Sequence, residues 1–245
     1  QVDVISTDYA KAFDKLSHAH ILSLLQSLGV FGSFHQWLSS YLSNRQQVVR
    51  FRGVLSRPYM ASSGVPQGSH IGPLLFLLMI NGVSDLFPDM KYLLFADDLK
   101  IFTSVGSLDD CSAIQRRLDE LVEWCARNKL SLNPSKCAVM SFHRSRGVIE
   151  YPYVIDGHDL RRLSVLRDLG VHFDPQLSFS VHIDVICTRA LRALGFLKRS
   201  TRDFCNVKAI THLYKSLVLP ILEYGSIVWS PHYESYKVQL ERIQR

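Results

Sequence analysis

Apolar positions along this chain switch between two periods, and the switches mark its elements. Val2 to Thr7 reads as a short strand that delivers Asp8 at its end. Ile21, Leu24, Leu25 and Leu28 recur on one side of a helix predicted over His18–Leu28, which Gly29 stops. A second helix is predicted over Ser33–Leu42, and a hairpin pairs Gln47–Phe51 with Leu55–Met60 around Gly53. The turn-rich run Ser63-Gly64-Val65-Pro66-Gln67-Gly68-Ser69 leads into a buried helix from Gly72 to Val83. Tyr92–Phe102 reads as a hairpin. Ser107, with Asp110 at the capping-box position, opens a long helix whose apolar stripe is Ile114, Leu118, Leu121, Val122 and Cys125. Strands follow at Cys137–Phe142 and Tyr153–Ile155. Beyond them the pattern is helical, over Ser180–Arg199, Phe204–Leu219 (ended by Pro220) and from Glu234 to Arg245. This change near residue 178 divides the chain into 1–177 and 178–245.

With 47% hydrophobic residues the 245-residue chain can bury a sizeable core, which excludes general disorder. The net charge of +6 is uneven: residues 1–110 carry 8 Lys and Arg against 9 Asp and Glu, residues 111–245 carry 20 against 13. Acidic residues beside a basic second half suit a polyanionic partner, although a solvated basic face gives the same count. Five cysteines without a C-x-x-C pair argue against a zinc site or a disulfide framework, and for a reducing compartment. The longest apolar run, Leu74–Ile80, is too short for a bilayer. The chain opens almost directly in strand-like sequence and closes in a charged helical pattern, so it reads as an excerpt of a longer protein.

Asp97 and Asp98 lie inside an apolar hairpin, where charge is costly unless compensated. Two divalent ions would compensate it, and a metal pair is the machinery of phosphoryl transfer, one ion activating the attacking hydroxyl and the other steadying the leaving group. Asp8 and Asp97 are the candidate bridging ligands, since carboxylates suit magnesium better than His or Cys does. On a regular strand Asp98 faces away from Asp97, so it joins them only across a tight turn. Taken alone, the pair also fits a plain polar turn.

Six stretches in order carry a resemblance. They are Asp8-Tyr9-Ala10-Lys11-Ala12-Phe13-Asp14; Ser63 to Ser69 with Gly72-Pro73; Phe95-Ala96-Asp97-Asp98; Leu132-Asn133-Pro134-Ser135-Lys136-Cys137; Leu169-Gly170-Val171; and Leu222-Glu223-Tyr224-Gly225 with Val228-Trp229. Across nearly its whole length the chain resembles the reverse transcriptase of non-LTR (LINE-like) retrotransposons, the jockey-like group in particular. The resemblance implies an α+β fold: a polymerase palm with an antiparallel sheet and packed helices, then a helical thumb, with the fingers largely absent. It implies an RNA-directed DNA polymerase acting on an RNA template, a DNA primer or target DNA, and dNTPs. Two Mg²⁺ ions, or Mn²⁺, would serve as cofactors, and no membrane is involved. It also implies an intracellular protein acting in the nucleus or cytoplasm, with target-primed synthesis in the nucleus.

Carried over residue by residue, the family makes Asp8, Asp97 and Asp98 the catalytic triad and the Tyr9 carbonyl a further metal ligand. Phe13 would stand under the incoming sugar and exclude a 2′-hydroxyl. Gln67 would bond near the nascent base pair, and Gly68 would let the backbone approach the nucleotide. Lys136 would assist the departing pyrophosphate. Phe95 would lie near the primer end, and Arg189, Arg192, Lys198, Arg199 and Arg202 would contact primer-template phosphates. Gly82 stands where relatives commonly have Asp, and Phe95 where they have Tyr. The fingers before Asp8, an endonuclease domain and a C-terminal zinc knuckle are expected in other parts of the polyprotein, so these residues alone are expected to polymerise poorly. Other palm polymerases and a non-catalytic nucleic-acid-binding remnant stay open as alternatives.

Overall fold

A computed structural model of the chain describes residues 1–144 and 147–244. Strand β1 (Val2–Thr7) buries its odd positions, Asp3, Ile5 and Thr7, and half-buries its even ones, so it runs between two covered faces. Helices α1 (Ala12–Lys15), α2 (His18–Ser27) and α3 (Gly32–Leu42) follow. The expected single hairpin after them is two short ladders. Its strands are β2 (Arg45–Gln47), β3 (Arg50–Phe51), β4 (Val54–Leu55) and β5 (Tyr59–Ala61), with β2 on β5 and β3 on β4. Between the ladders the Ser56 hydroxyl takes the Val49 N–H, so regular pairing lapses there.

Helix α4 (Ile71–Ile80) gives way to a 3₁₀ turn over Asn81–Leu86 instead of running on to Val83. Asn, Gly, Val and Ser in succession are weak helix formers, and the tighter turn is the usual way such an end closes. Strands β6 (Lys91–Phe95) and β7 (Asp98–Ser104), helix α5 (Leu108–Arg127) and strand β8 (Ala138–Phe142) come next. Three two-residue strands, β9 (Val154–Ile155), β10 (His158–Asp159) and β11 (Arg161–Arg162), complete this part. The main sheet has the order β11-β8-β1-β7-β6. It is antiparallel through β1, β7 and β6, and β11 adds a parallel edge on β8.

Helix α5 shows how the local code and the core agree. Its stripe, Cys111, Ile114, Leu118, Leu121 and Cys125, is buried in one cluster with Ile5, Phe76, Leu99 and Ile101. Each such Leu or Ile contributes about 1.5–3 kcal/mol. At its start the Ser107 hydroxyl accepts from the Asp110 N–H, and Asp110 Oδ2 accepts from the Ser107 N–H at 2.9 Å. These amide bonds hold the Asp110 carboxyl below its ordinary range. Ser107→Ala is expected to cost about 0.5–2 kcal/mol, read from urea denaturation; an unchanged midpoint would mean the cap contributes nothing.

The fold divides into two compact units. One holds Gln1–Ser141 and the described residues up to Arg162; the other holds Phe142–Arg144 and the residues from Leu163 on. The division precedes residue 178 because the hairpin of β12 (Leu166–Asp168) and β13 (Val171–Phe173) clusters with the helices that follow. These are α6 (Ser180–Ser200), α7 (Val207–Leu217), α8 (Leu219–Glu223), α9 (Ser226–Trp229) and α10 (Glu234–Gln244). Val171, Ile183, Ile186, Ala190, Leu222 and Trp229 share the core of this second unit. Helix α7 stops at Leu217, and Pro220 lies in the first turn of α8, where a missing N–H costs nothing. Arg245, the expected last helical position, lies outside the described residues.

Candidate active site

Asp8 sits where β1 leaves the sheet, and the segment 131–137 clamps it. The Asn133 N–H donates to the Asp8 carbonyl at 2.7 Å, and the Ala10 N–H donates to the Ser131 carbonyl at 2.8 Å. This pattern makes Tyr9 and Leu132 a non-hydrogen-bonded pair, so the Tyr9 carbonyl turns away from 131–133, toward the β7 side of β1. The Tyr9 ring is buried on the core, and burial raises its phenol far above the ordinary range. Cys137 Sγ accepts from the Asp8 N–H at 3.4 Å, and burial pushes that thiol up as well. Asp8 Oδ2 is shut from water and makes no hydrogen bond of acceptable geometry. Lys136 Nζ stands 3.3 Å from it, on a side chain that is 64% exposed.

Asp97 is a turn residue and Asp98 opens the next strand. Phe95 pairs with Asp98, which leaves Ala96-Asp97 as a two-residue connection, and Ala96 has φ 51°. A non-glycine residue at positive φ is the backbone cost of so tight a hairpin. Asp97 thus lies inside the turn and Asp98 at its foot, the first residue of β7. Thr7 pairs with Leu99, and continuing that register by one residue sets Asp8 across from Asp98. Phe95 is 63% exposed on β6, the edge strand of the sheet.

The 63–69 loop docks on α1. The Ser63 hydroxyl donates to the Asp14 carbonyl, the Val65 N–H to the Phe13 carbonyl and the Gly64 N–H to the Leu16 carbonyl, all within 3.0 Å. At Gly64 a Cβ would stand 2.7 Å from the Asp14 carbonyl oxygen, and φ is +78°, so only glycine fits. Gln67 Nε2 donates to Asp14 Oδ1 at 2.9 Å. Gly68 has φ +79° and open space about it. Phe13 is half-buried and stacks on Phe76 with ring centroids 4.6 Å apart. Two residues that sequence reasoning did not connect to this loop, His18 and Arg45, both reach the Gly64 carbonyl, at 2.8 and 2.6 Å. No local pattern marks them, because their partner is 46 residues away from one and 19 from the other.

The five basic residues expected to contact primer-template phosphates, Arg189, Arg192, Lys198, Arg199 and Arg202, are all exposed. At about 100° per residue, Arg189, Arg192 and Arg199 fall on one face of α6, whereas Lys198 lies on the opposite flank. Arg202 follows the end of α6. The helix therefore gathers three of the five into one stripe. Gly82, where a carboxylate was commonly expected, faces Trp124 at an ordinary 3.8 Å for an added Cβ and makes no contact with the aspartates.

The donor set around Asp8 fits a hard divalent cation. Its carboxylates are oxygen ligands, and one of their oxygens is buried without a hydrogen bond. No three His, Cys, Asp or Glu side chains among the described residues yet gather closely enough to hold an ion, and the ammonium of Lys136 is the cation beside Asp8.

The chain is 29% identical over 245 residues to the probable RNA-directed DNA polymerase from transposon X-element of Drosophila melanogaster, covering 97% of this chain and 27% of that protein. It is 27% identical to the RNA-directed DNA polymerase from mobile element jockey of the same species, over 97% of this chain and 27% of the relative. The chain thus spans about a quarter of the length of these relatives. Among solved structures, telomerase from Candida tropicalis with a fragment of telomeric RNA aligns with TM-score 0.53 and 12% identity, over 99% of this chain and 42% of that one; this is a likeness of fold alone. The sequence profile described as reverse transcriptase (RNA-dependent DNA polymerase) matches residues 3–196, from β1 through the aspartate hairpin and into α6. A match over that span, with non-LTR retrotransposon polymerases as relatives, means that the chain belongs to the reverse transcriptase family.

Proposed function

We propose that this chain forms the catalytic centre of a retrotransposon RNA-directed DNA polymerase, which extends a DNA primer on an RNA template with dNTPs. The observation that carries this reading is the buried, unbonded Oδ2 of Asp8, held by 131–137 one register step from the Asp97-Asp98 turn. Bound divalent ions would lower the pKa of the primer hydroxyl and neutralise charge on the triphosphate. Asp8, Asp97 and Asp98, with the Tyr9 carbonyl, are the groups that would hold them. Lys136 stands in for such a cation, with its ammonium 3.3 Å from the buried Oδ2 of Asp8. Its exposed amine remains able to meet the leaving pyrophosphate.

Phe13 acts by exclusion. Its ring is braced by Phe76, and the 63–69 loop bonds to the carbonyls of Phe13, Asp14 and Leu16. A braced apolar wall leaves a ribose 2′-hydroxyl without a partner, which disfavours ribonucleotides. Asp14 and Gln67 tie the loop to α1 and keep that wall in place. The test is primer extension on an RNA template by the full-length polymerase, with dNTPs or NTPs. Wild type is expected to synthesise DNA, and Phe13→Val is expected to raise the NTP-to-dNTP ratio by about 10–100-fold. An unchanged ratio would remove Phe13 from nucleotide selection, and preference of the wild type for NTPs would overturn the DNA polymerase reading.

A further inference from the structure

The Gly64 carbonyl takes two side-chain donors, and both come from outside its loop. Arg45 Nη2 donates to it at 2.6 Å and His18 Nε2 at 2.8 Å. A carbonyl can only accept, so His18 carries a proton on Nε2. A carbonyl oxygen has two lone pairs, and here both are filled. The rest of this residue is held as firmly. Its N–H donates to the Leu16 carbonyl at 2.8 Å, and its close approach to the Asp14 backbone leaves no space for a Cβ.

The two donors arrive from different elements. His18 is the first residue of α2. Arg45 opens β2, after a bend in which Asn44 has φ 55°. It pairs with Ala61 at the end of β5, just before the loop begins. Its guanidinium also donates to the Leu42 carbonyl at 3.3 Å and to the Ser63 carbonyl at 3.5 Å, and it makes no ion pair among the described residues. The charge of Arg45 therefore strengthens bonds to carbonyls, with no carboxylate competing for it.

Apolar packing holds little of this loop. Of residues 63–69 only Val65 belongs to the apolar core, and Gln67 and Gly68 are exposed. The loop thus has a pinned base and an open tip, and the tip carries the two residues expected at the nucleotide. Asp8 and the Asp97-Asp98 turn are held by other elements, the 131–137 segment and the β6–β7 hairpin. A looser base would disturb nucleotide selection and leave the carboxylates where they are.

We propose that Arg45 and His18 are positioning residues for nucleotide selection. They act on the incoming nucleotide through the Gly64 carbonyl, by fixing the loop that carries Gln67 and bonds to the carbonyl of Phe13. This inference rests on the polymerase reading above and extends it to two residues with no place in the chemistry itself.

Steady-state primer extension by the full-length polymerase on an RNA template, with dNTP and NTP titrations, tests this. Arg45→Met keeps the aliphatic stem and removes the donors. It is expected to raise the KM for dNTPs about 10-fold and to raise the NTP-to-dNTP ratio, with kcat little changed. His18→Leu is expected to act in the same direction, and His18→Gln, which keeps a donor, to restore the wild-type KM. In a Gln67→Ala background the effect of Arg45→Met is expected to shrink, because it passes through the loop. A wild-type KM in folded Arg45→Met enzyme would overturn the role of Arg45, whether or not its melting temperature falls, since the bonds would then serve the fold alone. Should Arg45→Met not fold, Arg45→Lys takes its place; an intermediate KM supports the role and a wild-type KM overturns it. A His18→Gln enzyme as impaired as His18→Leu would remove His18 from positioning. Additive effects of Arg45→Met and Gln67→Ala would overturn transmission through the loop. Wild type that makes no DNA sinks the polymerase reading, whereas active wild type with unaltered variants sinks this inference alone.

Discussion

Asp97→Asn is expected to stop DNA synthesis while the protein stays folded and keeps its affinity for RNA. Asparagine has nearly the shape of aspartate, and position 97 is a half-exposed turn residue outside the sheet ladder, so the substitution removes charge and little else. The loss is expected to reach about 10³-fold or more, equivalent to about 4 kcal/mol of transition-state stabilisation. Asp8→Asn carries the same expectation with an added sign. Oδ2 of Asp8 is buried without a hydrogen bond, so the native carboxylate is held against its own solvation, and the Lys136 ion pair is too exposed to offset this fully. The melting temperature of Asp8→Asn is therefore expected to hold or rise as activity disappears. Such opposition between stability and activity marks a group kept for chemistry. Primer extension, thermal melting and RNA binding on the same preparations decide the matter. Synthesis by Asp97→Asn at the wild-type rate would sink the catalytic assignment and favour a nucleic-acid-binding remnant.

Asp3→Ala is expected to have the largest effect on stability, at about 3–5 kcal/mol. Asp3 is completely buried in β1, five residues before Asp8 and on the opposite face. Its carboxylate accepts from Ser141 Oγ at 2.5 Å, Tyr153 Oη at 2.8 Å and Gln1 Nε2 at 2.7 Å, and Arg162 stands 4.0 Å away. Arg162 also donates to Ser141 Oγ, so serine bridges the two charges. Removing the carboxylate takes the acceptor from the Ser141 and Tyr153 hydroxyls in the core and the counter-charge from Arg162 at once. Tyr153→Phe removes a single bond and is expected to cost about 0.5–1.5 kcal/mol. Urea denaturation should therefore rank Asp3→Ala well above Tyr153→Phe. Equal losses would show that Asp3 is held by packing and that the network adds nothing.

Much of this architecture was legible beforehand. Helix α5 declares itself through Ser107, Asp110 and an unbroken apolar stripe, because capping and amphipathic burial are both local in sequence. The Asp97-Asp98 pair was conspicuous for the opposite reason, as charge set inside strand-forming residues. The hairpin of β12 and β13 was legible only as the motif Leu169-Gly170-Val171. Leu166-Arg167-Asp168 has no alternation, and its pairing depends on a turn held by Tyr224, 55 residues further on. Nor does any sequence pattern place Asp3 in a buried network, since its partners Ser141, Tyr153 and Arg162 lie more than a hundred residues downstream.

By itself, then, the sequence determined most of the helices, the aspartate pair within its hairpin and the family, since these rest on periodicity, turn residues and ordered motifs that short stretches of chain carry alone. Only the tertiary structure decided what each charged or polar group faces. It put Lys136 against Asp8, tied Gln67 to Asp14, buried Asp3 among its donors and left Nε2 of His182 without a hydrogen-bond partner. Hydrogen bonds and ion pairs act over a few ångströms, and residues that are distant along the chain come within that range only after the core has packed.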